Sequence, residues 1–227
     1  MEHTVSGVGV LDKSVAVLSA VADAATPRSL GDLVSSTGLP KATVHRLAVA
    51  LESHGLLRRD GSGAFLLGLR MIGLGRAATE AWPVVDVARA PVGELRRETG
   101  ESAQLYVREG EERVCVLSLE SGHELRTIVA EGARLPVGLG SAGRVLSGEP
   151  STSGWVASLG ERAPGVGSVS APVVDGHGQV VAAVGVSGPL ERLGGDPGGR
   201  YGDAVRRAAE RISAGLIQGI KVRPTRP

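Results

Sequence analysis

The chain contains a single cysteine, Cys115, among its 227 residues. One cysteine excludes an intrachain disulfide and every zinc motif that needs several thiolates. Cys115 lies between Val114 and Val116 in a run that reads as a strand, with no histidine close to it in the sequence. This setting is typical of a buried structural thiol, and a redox-sensing thiol is the alternative.

Aromatic residues are also scarce, at 2% of the chain. Proteins that bind single-stranded nucleic acid or RNA loops stack bases on aromatic side chains, so the composition disfavours that class. An excess of one charge is absent too, because 25 Lys and Arg residues are balanced by 24 Asp and Glu residues. A contact with nucleic acid must therefore come from a local basic patch.

No apolar run approaches the length of a membrane span, and the first residues lack the basic start and hydrophobic core of a signal peptide. We therefore expect a cytoplasmic protein without a membrane partner. The length allows two domains of ordinary size, and the 34 glycines and 12 prolines imply many turns.

Signatures of catalysis and of metal binding are missing as well. The five histidines show no H-x-x-x-H spacing, and the serines show no G-x-S-x-G elbow and no convincing Ser-His-Asp order. We predict no metal, no cofactor and no catalytic residue. A small hydrolase that uses Ser141 or Cys115 is the minor alternative, and neither residue has an evident activating base.

Residues 29–68 carry the strongest positive signal, a helix-turn-helix pattern. Three apolar residues form one face of a short helix: Leu30, Leu33 and Val34. Gly38 ends this helix, and Pro40 fits the first turn of the next one. The second helix has four inward-facing residues at helical spacing: Val44, Leu47, Ala48 and Leu51. Residues 10–24 predict a preceding helix whose inner face consists of Leu11, Val15, Leu18 and Ala22.

Polar residues of the second helix are the candidate DNA contacts. Four of them point outward from its first two turns: Lys41, Thr43, His45 and Arg46. In helix-turn-helix docking, these positions reach base edges and phosphates. Arg46 suits a bidentate contact with guanine, whereas Lys41 suits a phosphate.

A basic hairpin follows the two helices. Residues 56–59 and 64–67 read as strands joined by the turn sequence DGSG, which places Arg58 and Arg59 on a wing beside the recognition helix. Between Lys41 and Arg59 there are four Lys or Arg residues, two histidines and one acid. Paired amphipathic helices also occur as ordinary packing units, and charge runs as solvated faces, but the adjoining basic hairpin favours binding to double-stranded DNA.

The rest of the chain reads as helices, then strands, then a helix. Residues 69–81 predict a connecting helix that could also dimerise, and residues 84–99 predict a second helix that stops at Gly100. Predicted strands cover residues 102–108, 113–119, 126–130, 169–174 and 179–187, and the last two are joined by the hairpin sequence DGHG. Residues 201–220 predict a closing helix, followed by a frayed tail. This order indicates an α+β domain that can enclose a small ligand.

Residues 138–143 match the pattern G-x-G-x-x-G. Little strand precedes this match and little helix is expected after it, so dinucleotide binding is disfavoured. A loop whose backbone N–H groups face a small anion is favoured, and plain turn chemistry is the remaining alternative.

Two longer segments carry a specific pattern: GLPKATVHRLAVALESHGLL and GVGSVSAPVVDGHGQVVAAVGVSGPLERL. In their sequences and in their separation they resemble the isocitrate lyase regulator (IclR) family of bacterial transcription factors. The resemblance covers residues 7–216. Four shorter segments resemble an actinomycete branch that includes the nitrogen-dependent growth regulator and amino-acid-responsive regulators of leucine biosynthesis: SGVGVLDK, TGESAQLY, SVSAPV and VSGPLERL. The resemblance implies a winged helix-turn-helix domain at residues 8–68, a linker helix at 69–82, a GAF-like antiparallel effector domain at 83–220 and a tail at 221–227. It also implies promoter DNA as partner, dimers or dimers of dimers, and control by an amino acid or carboxylic acid.

The resemblance carries individual roles as well. It matches the four outward residues of the second helix to the family's recognition-helix positions and places Arg59 in the wing. It assigns seven residues to the effector pocket: Gly140, Ser141, Ala142, Val166, Ser168, Gly185 and Ser187. Residues 144–162 are compact where the family has a longer insertion, and Gly185 stands where many relatives carry serine, so we expect an altered or more open pocket. A metabolite-sensing protein that docks another protein with the same helices is the alternative function.

Overall fold

The computed structural model describes residues 7–80, 82–149 and 151–220, and the chain divides into two compact units, Met1–Ala78 and Thr79–Pro227. The predicted tail at residues 221–227 lies outside the described residues. Within the described part, no helix has both the length and the apolar character that crossing a membrane requires.

The first unit is a three-helix core with a two-stranded wing. Its elements are α1 (Gly9–Ala22), α2 (Leu30–Thr37), α3 (Lys41–Ser53), β1 (Leu57–Arg59), β2 (Phe65–Leu67) and the start of α4 (Arg70–Glu80). β1 and β2 pair in antiparallel register, with Arg58 opposite Leu66. The helix-turn-helix and the wing therefore form as the sequence predicts.

Local sequence chemistry fixes both ends of α2. At its start the Asp32 N–H donates to Ser29 Oγ (3.2 Å), while the Ser29 N–H donates to Asp32 Oδ2 (2.9 Å), which is a capping box. At its end Gly38 takes φ +66°, the left-handed conformation that a residue without Cβ adopts at low cost. The turn into α3 is therefore set by residues at both ends of α2.

The predicted inner face of α1 is wrong at Leu11, Val15 and Ala22, which are exposed, and correct at Leu18, which packs against the core. Leu11 and Val15 are 53% and 47% exposed, whereas Val17 and Val21 are buried against the helices and the wing. Apolar residues occur on more than one face of α1, and only packing against α2 and α3 decides which face is buried. The inward face predicted for α3 is confirmed, since all four of its residues are buried.

The second unit is a six-stranded sheet with helices on both faces. Its elements are α5 (Pro83–Thr99), β3 (Ser102–Glu109), β4 (Glu112–Leu119), β5 (Arg134–Pro136), α6 (Gly140–Leu146), β6 (Val156–Leu159), β7 (Val166–Val174), β8 (Val180–Pro189), α7 (Leu190–Leu193) and α8 (Pro197–Ile220). The strand order is β5-β4-β3-β8-β7-β6, and every neighbouring pair is antiparallel. The predicted α+β class with an antiparallel effector-type domain is confirmed.

Strand alternation separates the two faces of this sheet. Residues such as Leu105, Val169 and Val184 join α5 and α8 in the larger core. Their neighbours in the sequence, such as Tyr106 and Ala183, point to the other face of the sheet and form a smaller core with α6. Because side chains alternate across a strand, the polar residues of the same rows also point toward α6.

Residues 126–130, predicted as a strand, form an irregular segment instead. The Ser102 hydroxyl donates to Thr127 O (2.7 Å), and Val129 is buried in the smaller core while Ile128 is exposed. The strand β5 begins a few residues after this segment. It pairs with the edge of β4 and places Arg134 opposite Val114. Four short elements were not predicted from the sequence: β5, α6, β6 and α7.

Candidate DNA-binding surface and effector cavity

The start of α3 presents the residues predicted to contact DNA. Lys41, His45 and Arg46 are exposed, and Thr43 is half-buried. Buried Val44, Leu47 and Ala48 fix the opposite face against α1 and α2. The helix therefore offers a short row of polar and cationic side chains held on a rigid support, as base readout in a major groove requires.

The two wing arginines differ in their surroundings. Arg58 is exposed, and its cross-strand partner is Leu66. Arg59 Nε lies 3.0 Å from Glu52 Oε2, and its guanidinium carbon lies 4.4 Å from the centre of the Phe65 ring. Glu52, the one acid between Lys41 and Arg59, therefore pairs with the wing residue Arg59 and offsets part of its charge.

Replacing Glu52 tests this pairing. We expect Glu52→Gln to strengthen binding to all duplexes and to steepen the salt dependence by up to about one phosphate contact, because Arg59 is released. Anisotropy titrations at several salt concentrations measure the slope. Glu111→Gln, which removes an exposed acid of the second unit, is the matched control and should leave the slope unchanged. If the salt slope of Glu52→Gln equals that of the wild type, Glu52 does not weaken a contact between Arg59 and DNA.

A cavity lies between α6 and the sheet of the second unit. The space between its lining atoms, with its open mouth included, is about 410 Å³. The lining includes all seven residues predicted for the effector pocket: Gly140, Ser141, Ala142, Val166, Ser168, Gly185 and Ser187. The fold thus brings these seven residues together around one cavity. The cavity also has lining residues that the sequence did not predict.

Hydroxyl groups form one wall of the cavity. Ser141 Oγ on α6 donates to Ser168 Oγ (2.8 Å) and lies 2.8 Å from Ser170 Oγ. Because a serine has a single hydroxyl proton, Ser170 donates to Ser141 in this arrangement. The Ser168 proton then has no acceptor within the described part of the chain, so it is available to a ligand.

Gly185 lies in the floor of the cavity, between Gln104 and Ser170 on the neighbouring strands. A Cβ atom here would lie 2.3 Å from Ser170 Oγ and 2.3 Å from the carbonyl oxygen of Val169. The glycine that departs from the family pattern is therefore required by close packing in this chain.

A serine at this position should be poorly tolerated. We expect Gly185→Ser to lower the free energy of unfolding of the second unit by about 1–3 kcal/mol, because the backbone contact cannot yield without a strand shift. Denaturant unfolding followed by tryptophan fluorescence reports on this unit, since Trp82 and Trp155 both belong to it. Gly176→Ser in the β7–β8 turn, where Cβ would meet nothing closer than 3.9 Å, should be close to wild type. Equal stability of the two variants would refute the packing argument.

The cavity also contains polar residues that the sequence prediction missed. The additional lining residues are Gln104, Tyr106, Arg113, Ser158, Arg162, Ser170 and Val186. The alternation of the segment from Ser102 to Arg108 was the available signal, because it places Gln104 and Tyr106 on one face. Burial lowers the pKa of Arg113, and nearby Arg162 acts in the same direction, but a guanidinium stays charged.

The glycines of the G-x-G-x-x-G match serve the packing of α6. Gly140 takes φ +73° at the start of α6, and its N–H donates to Glu161 Oε2 (3.1 Å). A Cβ on Gly143 would lie 2.5 Å from Arg113 Nη1. The surrounding sheet is antiparallel, so the motif does not join parallel strands as a dinucleotide-binding turn does.

The single cysteine is buried in the smaller core, which adjoins this cavity. Its thiol lies 3.5 Å from Leu117 O, and burial raises the pKa of Cys115 to about 12. The thiolate needed for redox sensing is therefore disfavoured. Among the described residues, no cluster of His, Cys, Asp and Glu could hold a metal ion.

A winged helix-turn-helix with cationic side chains and a separate unit with a polar cavity define the class of DNA-binding transcriptional regulators. The family model for the IclR helix-turn-helix domain matches residues 10–61. The model for the bacterial transcriptional regulator IclR C-terminal domain matches residues 76–150 and 148–214. The chain therefore belongs to the IclR family, whose members are transcriptional regulators and not enzymes.

Individual relatives are similar over different lengths. The HTH-type transcriptional regulator KipR of Bacillus subtilis is 38% identical over 116 residues, which is 51% of this chain and 46% of KipR. The glycerol operon regulatory protein of Streptomyces griseus is 28% identical over 245 positions, covering 92% of this chain and 96% of the relative. That alignment exceeds the length of this chain, so the relative has residues that the chain lacks. The C-terminal model also breaks at residues 148–150, inside the compact segment at 144–162.

A solved structure supports the fold at lower identity. An IclR homolog from Microbacterium hydrocarbonoxydans, complexed with 4-hydroxybenzoate, gives a TM-score of 0.76 at 22% identity, over 91% of this chain and 98% of that chain.

Proposed function

We propose that this regulator is controlled by a small molecule that binds in the cavity between α6 and the sheet and shifts the population of the DNA-competent state. The observation that carries the proposal is the convergence of seven sequence-predicted residues on one cavity. A ligand shifts this equilibrium only by binding the two states with different affinities. An IclR homolog of the same fold is complexed with 4-hydroxybenzoate, which supports a small-molecule effector for this chain.

The proposed DNA contacts are Lys41, Thr43, His45 and Arg46 on the recognition helix, together with Arg58 on the wing. Their exposure on one rigid helix and its neighbouring hairpin supports this assignment. Arg59 contributes less to DNA binding, because it already pairs with Glu52. A DNA target also supports a cytoplasmic location.

The finer proposals concern organisation and effector class. The resemblance to the actinomycete branch supports an amino acid or a related carboxylic acid, of leucine-type metabolism, as effector. Exposed apolar residues support self-association as a dimer or a dimer of dimers: Val10, Leu11 and Val15 on α1, and Ile72 and Leu74 on α4. Proposed boundaries are residues 8–68 for the DNA-binding domain, 69–82 for the linker and 83–220 for the effector domain.

Binding to the duplex upstream of the chain's own gene, in the presence of amino acids and carboxylic acids, tests the proposal. We expect at least one compound to change the DNA affinity about fivefold or more, as a coupling free energy of ordinary size would. A set of compounds that leaves the affinity unchanged would contradict effector control through this cavity. Absence of DNA binding at low salt would instead favour the protein-docking alternative.

A further inference from the structure

We propose that Arg28 is a further DNA contact, which binds a backbone phosphate at the junction between the wing and the start of α2. This contact rests on the proposed docking of α3 and the wing on a duplex, and it adds a third element to that surface. Arg28 precedes the basic stretch between Lys41 and Arg59 from which the DNA contacts were predicted.

Backbone pairing fixes Arg28 beside the wing. The Arg28 N–H donates to the carbonyl oxygen of Phe65 (2.9 Å), and the Phe65 N–H donates to the carbonyl oxygen of Arg28 (2.7 Å). Phe65 also lies opposite Arg59 across β1 and β2. Directly opposed residues project to the same face of a sheet, so Arg28, Phe65 and Arg59 form one row. The next residue, Ser29, is the N-cap of α2, which places Arg28 where the wing meets this helix.

The side chain of Arg28 is a cation without a partner. It is partly buried, and its Nε is buried with no hydrogen-bond partner among the described residues. The nearest acid along the chain, Asp32, accepts instead from the N–H (2.9 Å) and the hydroxyl (2.8 Å) of Ser29. Arg59 in the same row does have a counter-ion, because Glu52 lies 3.0 Å from it.

An unpaired and partly desolvated charge is unfavourable for the free protein. Burial removes water from the guanidinium group, and within the described part of the chain no carboxylate forms an ion pair that offsets this loss. An anion that approaches Arg28 from outside would supply the missing partner. The residue therefore suits a binding role better than a structural one.

Docking of a helix-turn-helix on DNA brings such an anion to this place. The second helix of the motif enters the major groove, while the first helix crosses the sugar–phosphate backbone. Arg28 comes directly before the N-cap of α2, which is that first helix. A guanidinium group matches the oxygens of a phosphate in a bidentate contact. Because phosphates carry no base identity, Arg28 adds affinity for every duplex and no sequence preference.

Fluorescence anisotropy of the full chain tests this contact, with the duplex upstream of its own gene and a scrambled duplex, at about 50 mM and about 200 mM salt. The variants are Arg28→Met and Arg28→Lys. Arg89→Met is the charge-matched control, because Arg89 lies on α5 of the second unit with its side chain 59% exposed. Thermal unfolding without DNA reports on the fold of each variant. If Arg28→Met does not fold, Arg28→Gln keeps hydrogen-bond donors at this position and replaces it.

We expect Arg28→Met to weaken binding to both duplexes by the same factor and to reduce the salt slope by about one. The loss of affinity should then shrink about three- to fourfold between the lower and the higher salt concentration. We expect Arg28→Lys to keep the slope of the wild type, since it keeps the charge. Without DNA, Arg28→Met should be at least as stable as the wild type, because an unpaired charge is removed.

Three results would overturn the assignment of Arg28: a wild-type slope for Arg28→Met, a loss confined to the upstream duplex, or an equal loss of slope in Arg89→Met. With the wild type still binding DNA, each of these counts against Arg28 alone. Absence of binding by the wild type at the lower salt concentration would overturn the proposed function together with this contact.

Discussion

Arg46→Ala is expected to cost about 1–3 kcal/mol of DNA-binding free energy and to relax sequence preference. Arg46 is exposed on the face of α3 opposite buried Val44, so its side chain can reach a guanine edge without disturbing the core. Fluorescence anisotropy with the upstream duplex and with single-base variants of it measures both effects.

Lys41→Ala is the matched comparison for Arg46→Ala. A phosphate contact carries no sequence information, so we expect Lys41→Ala to weaken binding to every duplex similarly and to reduce the salt slope by about one. Thermal unfolding checks that both variants keep the fold. Wild-type binding by both variants would show that the start of α3 is not the recognition surface.

Glu101→Gln is expected to lower the free energy of unfolding of the second unit by about 3 kcal/mol, the scale for breaking a buried ion pair. Glu101 is 1% exposed, and its two carboxylate oxygens accept from Arg192 Nε (2.5 Å) and Nη2 (2.8 Å). A glutamine amide would direct its N–H groups at a guanidinium that also needs acceptors. Denaturant unfolding followed by tryptophan fluorescence measures the loss.

Glu98→Gln is the control for Glu101→Gln. Glu98 pairs with Arg207 at 2.6 Å, but both side chains are about half exposed, so the pair is hydrated. An exposed pair contributes about 0–1 kcal/mol, and we expect a correspondingly small change. Similar losses for the two variants would mean that burial does not set the strength of the Glu101–Arg192 pair.

The sequence specified the DNA-binding unit well because its signals are local. Helical spacing in α3, the left-handed Gly38 and the DGSG turn each depend on residues within a few positions. The inner face of α1 could not be chosen this way, since Leu11 and Val17 both belong to apolar stripes. Contact with α2 and α3 decides between them, and that contact is not local.

The cavity beside α6 shows a different limit. Strand pairing places Ser168 opposite Ser187, and the family resemblance located these two serines without any geometry, but it did not locate Ser158 or Ser170. Arg113 was missed because an arginine in a strand ordinarily indicates a solvent-facing position. Its burial arises from α6 packing over the sheet, where Gly143 leaves room for the guanidinium.

The most direct test of the regulator account is wild-type binding to the duplex upstream of its own gene and to a scrambled duplex, at about 50 mM and about 200 mM salt. The account predicts tighter binding to the upstream duplex, by at least about tenfold at the higher salt, because base contacts persist where phosphate contacts weaken. Equal affinity for both duplexes at both salt concentrations, or no binding at the lower one, would contradict it.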